Sequence, residues 1–279
     1  MMLPWPLMAI VLLTGMAVGS FVNVVIFRLP RRESVVTPRS RCLSCGAVLT
    51  VADLVPVFSY LLLRGRCRHC GRRFSPRYML VELVVGLLAV ACVIVIGPNV
   101  YAVSAFVMVC ILVVVLFIDL DWMIIPDELV VVLAGFGLAI NGLGIWRGEV
   151  GGLIPFTERT YLTSYTVNLP RSIVGMLVGA GVFLLIGWAS EKLLKRPSMG
   201  GGDVKLAGAM GALLGPGYQF LAFFLYAVIS GAVIGLIVLA LRGRSGSSYI
   251  PFGPMLAVSG MAMLLFPAEL TAFIMHIYG

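Results

Sequence analysis

The sequence predicts an all-α fold, a polytopic transmembrane helix bundle of about eight spans with a polar loop domain near its N-terminal end. Three observations carry this expectation. The 279-residue chain is 61% hydrophobic and only 11% charged, where an ordinary soluble domain has about a quarter of its residues charged. Its apolar stretches are continuous and do not alternate with polar residues, which suits spanning helices of roughly 20 residues and not the strands of a membrane barrel. Charge is confined to the connections. Residues 28–78 alone hold eleven arginines (Arg28, Arg31, Arg32, Arg39, Arg41, Arg64, Arg66, Arg68, Arg72, Arg73 and Arg77), opposed only by Glu33 and Asp53.

In chain order, the apolar runs bounded by Gly, Pro and charge are 5–27, 79–97, 100–118, 128–146, 171–191, 204–216, 218–241 and 252–275. The first has no basic residues before it and no A-x-A-like cleavage site after it, so it reads as a retained helix over 1–27 and not as a signal peptide. Lys and Arg gather in loop 28–78, in 191–198 and in 241–248, which places these segments and the 119–127 turn in the cytoplasm and both chain ends outside. The sixth run is short, Gly-rich and followed by Gly215-Pro216-Gly217. It is kept as a span because Arg242 and Arg244 would otherwise fall outside. The basic loop is the cytoplasmic signature of a membrane protein, so no nucleic-acid partner is expected.

Within the loop, Cys42 and Cys45 form one CxxC pair and Cys67 and Cys70 another, 21 residues on, each followed by glycine. Thiolates two residues apart on a tight turn bind one tetrahedral zinc, and two such turns complete a four-sulfur site. In the cytoplasm this reading prevails over disulfides. A closed site leaves no position for water, so the zinc is structural and supplies folding free energy to a loop with little core of its own. His69 reads as a solvated loop residue. Cys92 and Cys110 read as small core hydrophobes.

An ionisable residue on a membrane helix is a functional candidate, and several are present. Asp127 and Glu128 follow Pro126 and suit a helix start. Asp121 lies two residues beyond Asp119, past the end of the third run. Asp119 is deepest there, and Glu82 sits early in the second run. Asp203 follows Gly200, Gly201 and Gly202, where close backbone approach or unusual dihedrals are possible. A phosphate-binding loop is excluded, since the Gly-Lys-Ser/Thr ending is absent. Two carboxylates sharing a site divide into a base that activates water and an acid that protonates a carbonyl. That is aspartyl protease chemistry, open to water from the cytoplasmic side. A proton-coupled transporter or an inactive structural subunit would fit the same acids.

In order, "GSFVNVVIFRLP" (19–30), the CxxC pairs, "RYMLVELVVGLL" (77–88), "FIDLDWMIIPD" (117–127), "GGGDVK" (200–205) and "PFGPMLA" (251–257) resemble the type IV prepilin peptidases, bifunctional leader peptidases and N-methyltransferases grouped with the GxGD-type intramembrane aspartyl proteases. The resemblance covers nearly the whole chain and makes 79–279 the peptidase core. It implies a catalytic pair of Asp119 and Asp203, because the family's first aspartate precedes the aspartate of the next span by eight residues, as Asp119 precedes Asp127. Asp121 is the fallback. It further implies cleavage of a short basic leader from type IV prepilins or type II secretion pseudopilins, after a glycine and on the cytoplasmic side of the bacterial inner membrane. Methylation of the new N-terminal residue from S-adenosylmethionine follows. Glu82 is a candidate for methyl transfer from its place in the family motif. Asp53, Asp121, Asp127 and Glu128 would attract the basic leader, while the arginines would lie away from it against anionic membrane lipid. The external loop 147–170 is longer and more polar than expected for the family.

Overall fold

The computed structural model describes residues 4–146, 169–195, 199–242 and 251–278, so most of the expected external loop lies outside the described residues. Among these residues the protein is helical, with two isolated β-bridges in the cysteine loop. It divides into two compact units, Met1–Val114 and Val115–Gly279. The helices are α1 (Trp5–Arg28), α2 (Phe58–Leu62), α3 (Arg77–Ile96), α4 (Val100–Trp122), α5 (Asp127–Trp146), α6 (Leu169–Leu194), α7 (Gly201–Leu214), α8 (Tyr218–Arg242), α9 (Gly253–Leu265) and α10 (Pro267–Tyr278).

Five of them, α1, α3, α4, α6 and α8, are long and apolar enough to cross a membrane, and α9 with α10 makes a sixth if that pair is one span. The expected run 252–275 is in fact two helices bent by 102°. The break falls at Phe266, before Pro267, whose ring cannot continue the preceding helix. The sixth run is α7, whose 14 residues reach only about 21 Å. The third run was expected to end at 118, but α4 continues to Trp122. Asp119 and Asp121 therefore lie in its last turns, and Asp121 is not beyond the helix.

In the first unit α1 and α3 pack through small residues. A Cβ at Gly15 would lie 2.6 Å from Ala89 Cβ, and one at Gly86 2.5 Å from Met16 Cγ. Such close approach lets two apolar helices gain van der Waals contact in lipid, where burial itself gives no driving force. Asn23 Nδ2 donates to the Tyr78 carbonyl at 2.9 Å and fixes the register where α1 ends and α3 begins.

The second unit is built around α7. Every residue from Leu206 to Leu214 is buried, which explains why this helix shows no apolar stripe: it has protein on all sides. The α6 residue Gly175 faces Gly211 of α7, and Gly179 faces Ala207, so the two helices run antiparallel. Helix α5 runs parallel to α7, with Asp127 beside Lys205 at one end and Asn141 beside Ala212 at the other. At that far end Asn141 Nδ2 donates to the Ala212 carbonyl at 3.1 Å, and the Ser172 hydroxyl donates to the same oxygen. These bonds satisfy a carbonyl at the C-terminus of α7 that has no partner within the helix. Ser259 Oγ donates to the Phe223 carbonyl at 2.7 Å, and Phe252 packs on Gly231, so α8 and α9 are antiparallel. One end of this unit thus gathers the end of α4 and the starts of α5, α7 and α9.

Candidate active site

That end holds the two carboxylates. Asp119, in the last turn but one of α4, is 5% exposed, and Asp203, in the first turn of α7, is 9% exposed. Ile125, buried in the turn between α4 and α5, is the hinge pin of the site. A Cβ on Gly202 would lie 2.9 Å from Ile125 Cβ, and one on Gly253 would lie 3.1 Å from Ile125 Cδ1. The glycine turn before Asp203 and the start of α9 therefore close on one side chain. The Asp119 carboxylate packs directly on Gly253, where an added Cβ would sit 2.9 Å from Asp119 Cγ. Asp119 and Asp203 thus lie on segments that meet at the same buried side chain.

Asp203 is held by its own turn. Its Oδ2 accepts the Gly200 N–H at 3.2 Å, while its N–H donates to the Gly200 carbonyl at 3.1 Å. The glycines preceding it were expected to allow close approach or unusual dihedrals. Gly200 has φ −75°, open to any residue, and a Cβ at Gly201 would meet nothing within 4 Å. Gly202 is the one that close approach requires, against Ile125.

Of the other acids, Asp127 opens α5 as expected and has a partner that sequence reasoning missed. Lys205 Nζ donates to its two carboxylate oxygens at 2.7 and 2.9 Å, linking the starts of α5 and α7. Complementary charge at two helix starts was the available signal. Asp53 is also engaged. It accepts from Arg68 Nε at 2.8 Å and from the Thr50 hydroxyl at 2.6 Å, with its side chain only 4% exposed. It is therefore withdrawn from the expected set of leader-attracting acids, while Asp121 and Glu128 remain exposed. Gly253 and Ile125 were missed as site residues, although the "PFGP" stretch containing Gly253 stood out in the sequence.

In the first unit the four cysteines come together, with the Sγ atoms of Cys42, Cys45, Cys67 and Cys70 all within 4.8 Å of one another. The two turns are near copies. Cys42 N–H donates to the Ala47 carbonyl and Gly46 N–H to the Cys42 carbonyl, each at 2.9 Å; Cys67 N–H donates to Arg72 at 2.8 Å and Gly71 N–H to Cys67 at 2.9 Å. Gly46 and Gly71 take φ values of +72° and +71°, a region where a side chain is strained. The Cys42 and Cys70 sulfurs are 3.9 Å apart. Four sulfurs about 2.3 Å from a tetrahedral zinc are about 3.8 Å apart, so the donor set and its spacing fit zinc. His69 is exposed, and Cys92 is buried on α3 as a core residue.

Glu82 is half-buried on α3. Its Oε2 accepts the Val57 N–H at 2.8 Å, a contact that fastens the loop to α3.

Apolar, membrane-capable helices, two buried carboxylates in one unit and a four-cysteine loop after the first helix are features of a membrane peptidase. Residues 13–96 match the family described as Bacterial Peptidase A24 N-terminal domain, and residues 106–236 match the Type IV leader peptidase family. The chain is 35% identical to the Prepilin leader peptidase/N-methyltransferase of Aeromonas hydrophila, over 96% of this chain and 94% of that one. It is 38% identical to the protein of that name from Myxococcus xanthus (strain DK1622), over 86% of this chain and 66% of the relative. With the one from Burkholderia pseudomallei (strain K96243) it shares 32% identity over 93% and 85%. The chain belongs to the type IV leader peptidase family. No solved structure matches it significantly.

Proposed function

We propose that this protein removes the leader from prepilin-type substrates with Asp119 and Asp203 as its catalytic pair, and then methylates the new N-terminus. The observation that carries the proposal is the burial of both carboxylates on segments that meet at Ile125, Asp119 against Gly253 and Asp203 next to Gly202. One carboxylate takes a proton from a water held between them as the water oxygen adds to the scissile carbonyl. The other gives its proton to the carbonyl oxygen. Collapse of the tetrahedral intermediate breaks the C–N bond, and the departing amine takes up a proton. Gly200 caps α7, and Gly201 and Gly202 open the helical turn that presents Asp203. Asp121 and Glu128, exposed at the starting end of α5, offer negative charge to a basic leader.

S-adenosylmethionine supplies the methyl group when bound. Its sulfonium is cationic, and the half-buried Glu82 carboxylate is a group of fitting sign for that part of the reaction. Zinc held by Cys42, Cys45, Cys67 and Cys70 acts by folding the loop. The arrangement belongs in the inner membrane of a bacterium, with eight crossings and with the loop and the aspartate pair facing the cytoplasm. The alternation of α5, α6 and α7 supports that topology. Prepilins or pseudopilins and membrane lipid are then its partners.

The test is cleavage of a prepilin by purified wild-type, Asp119→Ala and Asp203→Ala proteins in membranes. Each variant is expected to leave the leader intact while still methylating a pilin cleaved beforehand. Leader removal by either variant at the wild-type rate would reject the pair.

A further inference from the structure

The loop domain carries bare apolar side chains at an unusual place. Helix α3 starts at Arg77, so Glu82 lies about 7 Å along it. Glu82 Oε2 accepts the Val57 N–H at 2.8 Å, which brings Val57 to the same depth. Val57 has φ +61° and ψ −50°, a conformation rare for a β-branched residue. The strap thus keeps this depth despite local strain. At that level α3 already presents exposed Leu80 and Leu83 to its surroundings.

The chain on either side of Val57 is apolar and uncovered. Val51 is 81% exposed and Leu62 82% exposed, with Val55, Phe58 and Leu61 about half exposed between them. The next stretch is basic, with Arg64, Arg66, Arg72 and Arg73 exposed. Exposed apolar side chains strapped at the level of exposed leucines on a membrane-capable helix, and bordered by arginines, match a leaflet with anionic headgroups.

We infer that residues 51–62 dip into the headgroup–acyl boundary of the membrane, with the arginines after them on anionic headgroups. The cysteine loop is thereby seated on the bilayer and does not float above it. This rests on the membrane reading of α1 and α3 and is independent of the peptidase assignment.

The test places the photoreactive residue p-benzoylphenylalanine at Leu62 in the full chain, in nanodiscs containing phosphatidylglycerol. Leu87, exposed on α3, serves as the position that must label lipid. Lipid adducts at position 62, at a yield within about threefold of position 87, are expected. Adducts to this chain, to a second copy or to added prepilin, or no adduct at 62 while 87 labels, would overturn the inference.

Discussion

Gly253 has no side chain, and the Asp119 carboxylate occupies the space where one would be. Gly253→Ala keeps the N–H but pushes that carboxylate aside. A displacement near 1 Å at a reacting group costs roughly a hundredfold in rate, so kcat for leader removal should fall by about that factor, with KM little changed. Gly235→Ala, where a Cβ meets nothing within 4 Å, should leave the kinetics alone, and side-by-side assays check both. Asp53 offers a pH test. The Thr50 hydroxyl, then its N–H and Arg68, hold the Asp53 carboxyl below the usual carboxylate range. The folded loop therefore takes up this proton at lower pH than the unfolded chain does. Its stabilisation is complete at neutral pH, declines as pH falls through the ordinary carboxylate range, and is gone below the folded-state value. Asp53→Asn should flatten that part of the acid dependence of loop proteolysis by trypsin. At this scale the sequence was informative about chemical type: apolar surroundings, where a carboxylate is costly, marked several acids as candidates, and the family resemblance picked Asp119 and Asp203 from among them. It showed Gly253 and Lys205 only as members of motifs, because their roles come from neighbours distant in the chain.

Among the elements, the two cysteine turns were the most legible, because the CxxC-Gly spacing encodes its own local geometry. Each turn closes its hydrogen bonds within six residues, and its glycine is demanded by a positive φ. Cys42→Ser or Cys67→Ser should release zinc, measured by metal analysis of the purified protein, and methyl transfer should fall further than cleavage because the aspartates lie on other segments. Equal loss of the two activities would count against that division. Helix ends were less legible. The hydropathy of α4 drops at Asp119, but the helix continues because the last turns of a helix tolerate polar residues while the backbone bonds persist. Met123 N–H still donates to the Asp119 carbonyl at 2.9 Å. The break between α9 and α10 was passed over because apolar residues flank Pro267 on either side, and composition alone does not register a bend.

For the whole molecule, hydropathy recovers the long apolar helices and undervalues the short one that is enclosed by protein. Helix α7 was the weakest expected span, and it is the centre of its unit. Its packing depends on Gly175 and Gly211, whose backbones approach too closely for any side chain. Gly211→Ala forces α6 and α7 apart, and overpacking of this kind destabilises by about 1–3 kcal/mol. Thermal unfolding in detergent should show the loss, with cleavage failing at a lower temperature than in the wild type. The same burial bears on how the protein is made. A span that meets lipid can be inserted by itself and await its partners. Helix α7 is short, glycine-rich and enclosed, so it has no stable place in the bilayer until α5, α6, α8 and α9 surround it. Asp203 rides on its first turn. On the proposed pairing, the second aspartate would then reach its place only as assembly finishes, and a half-built chain would lack its active site.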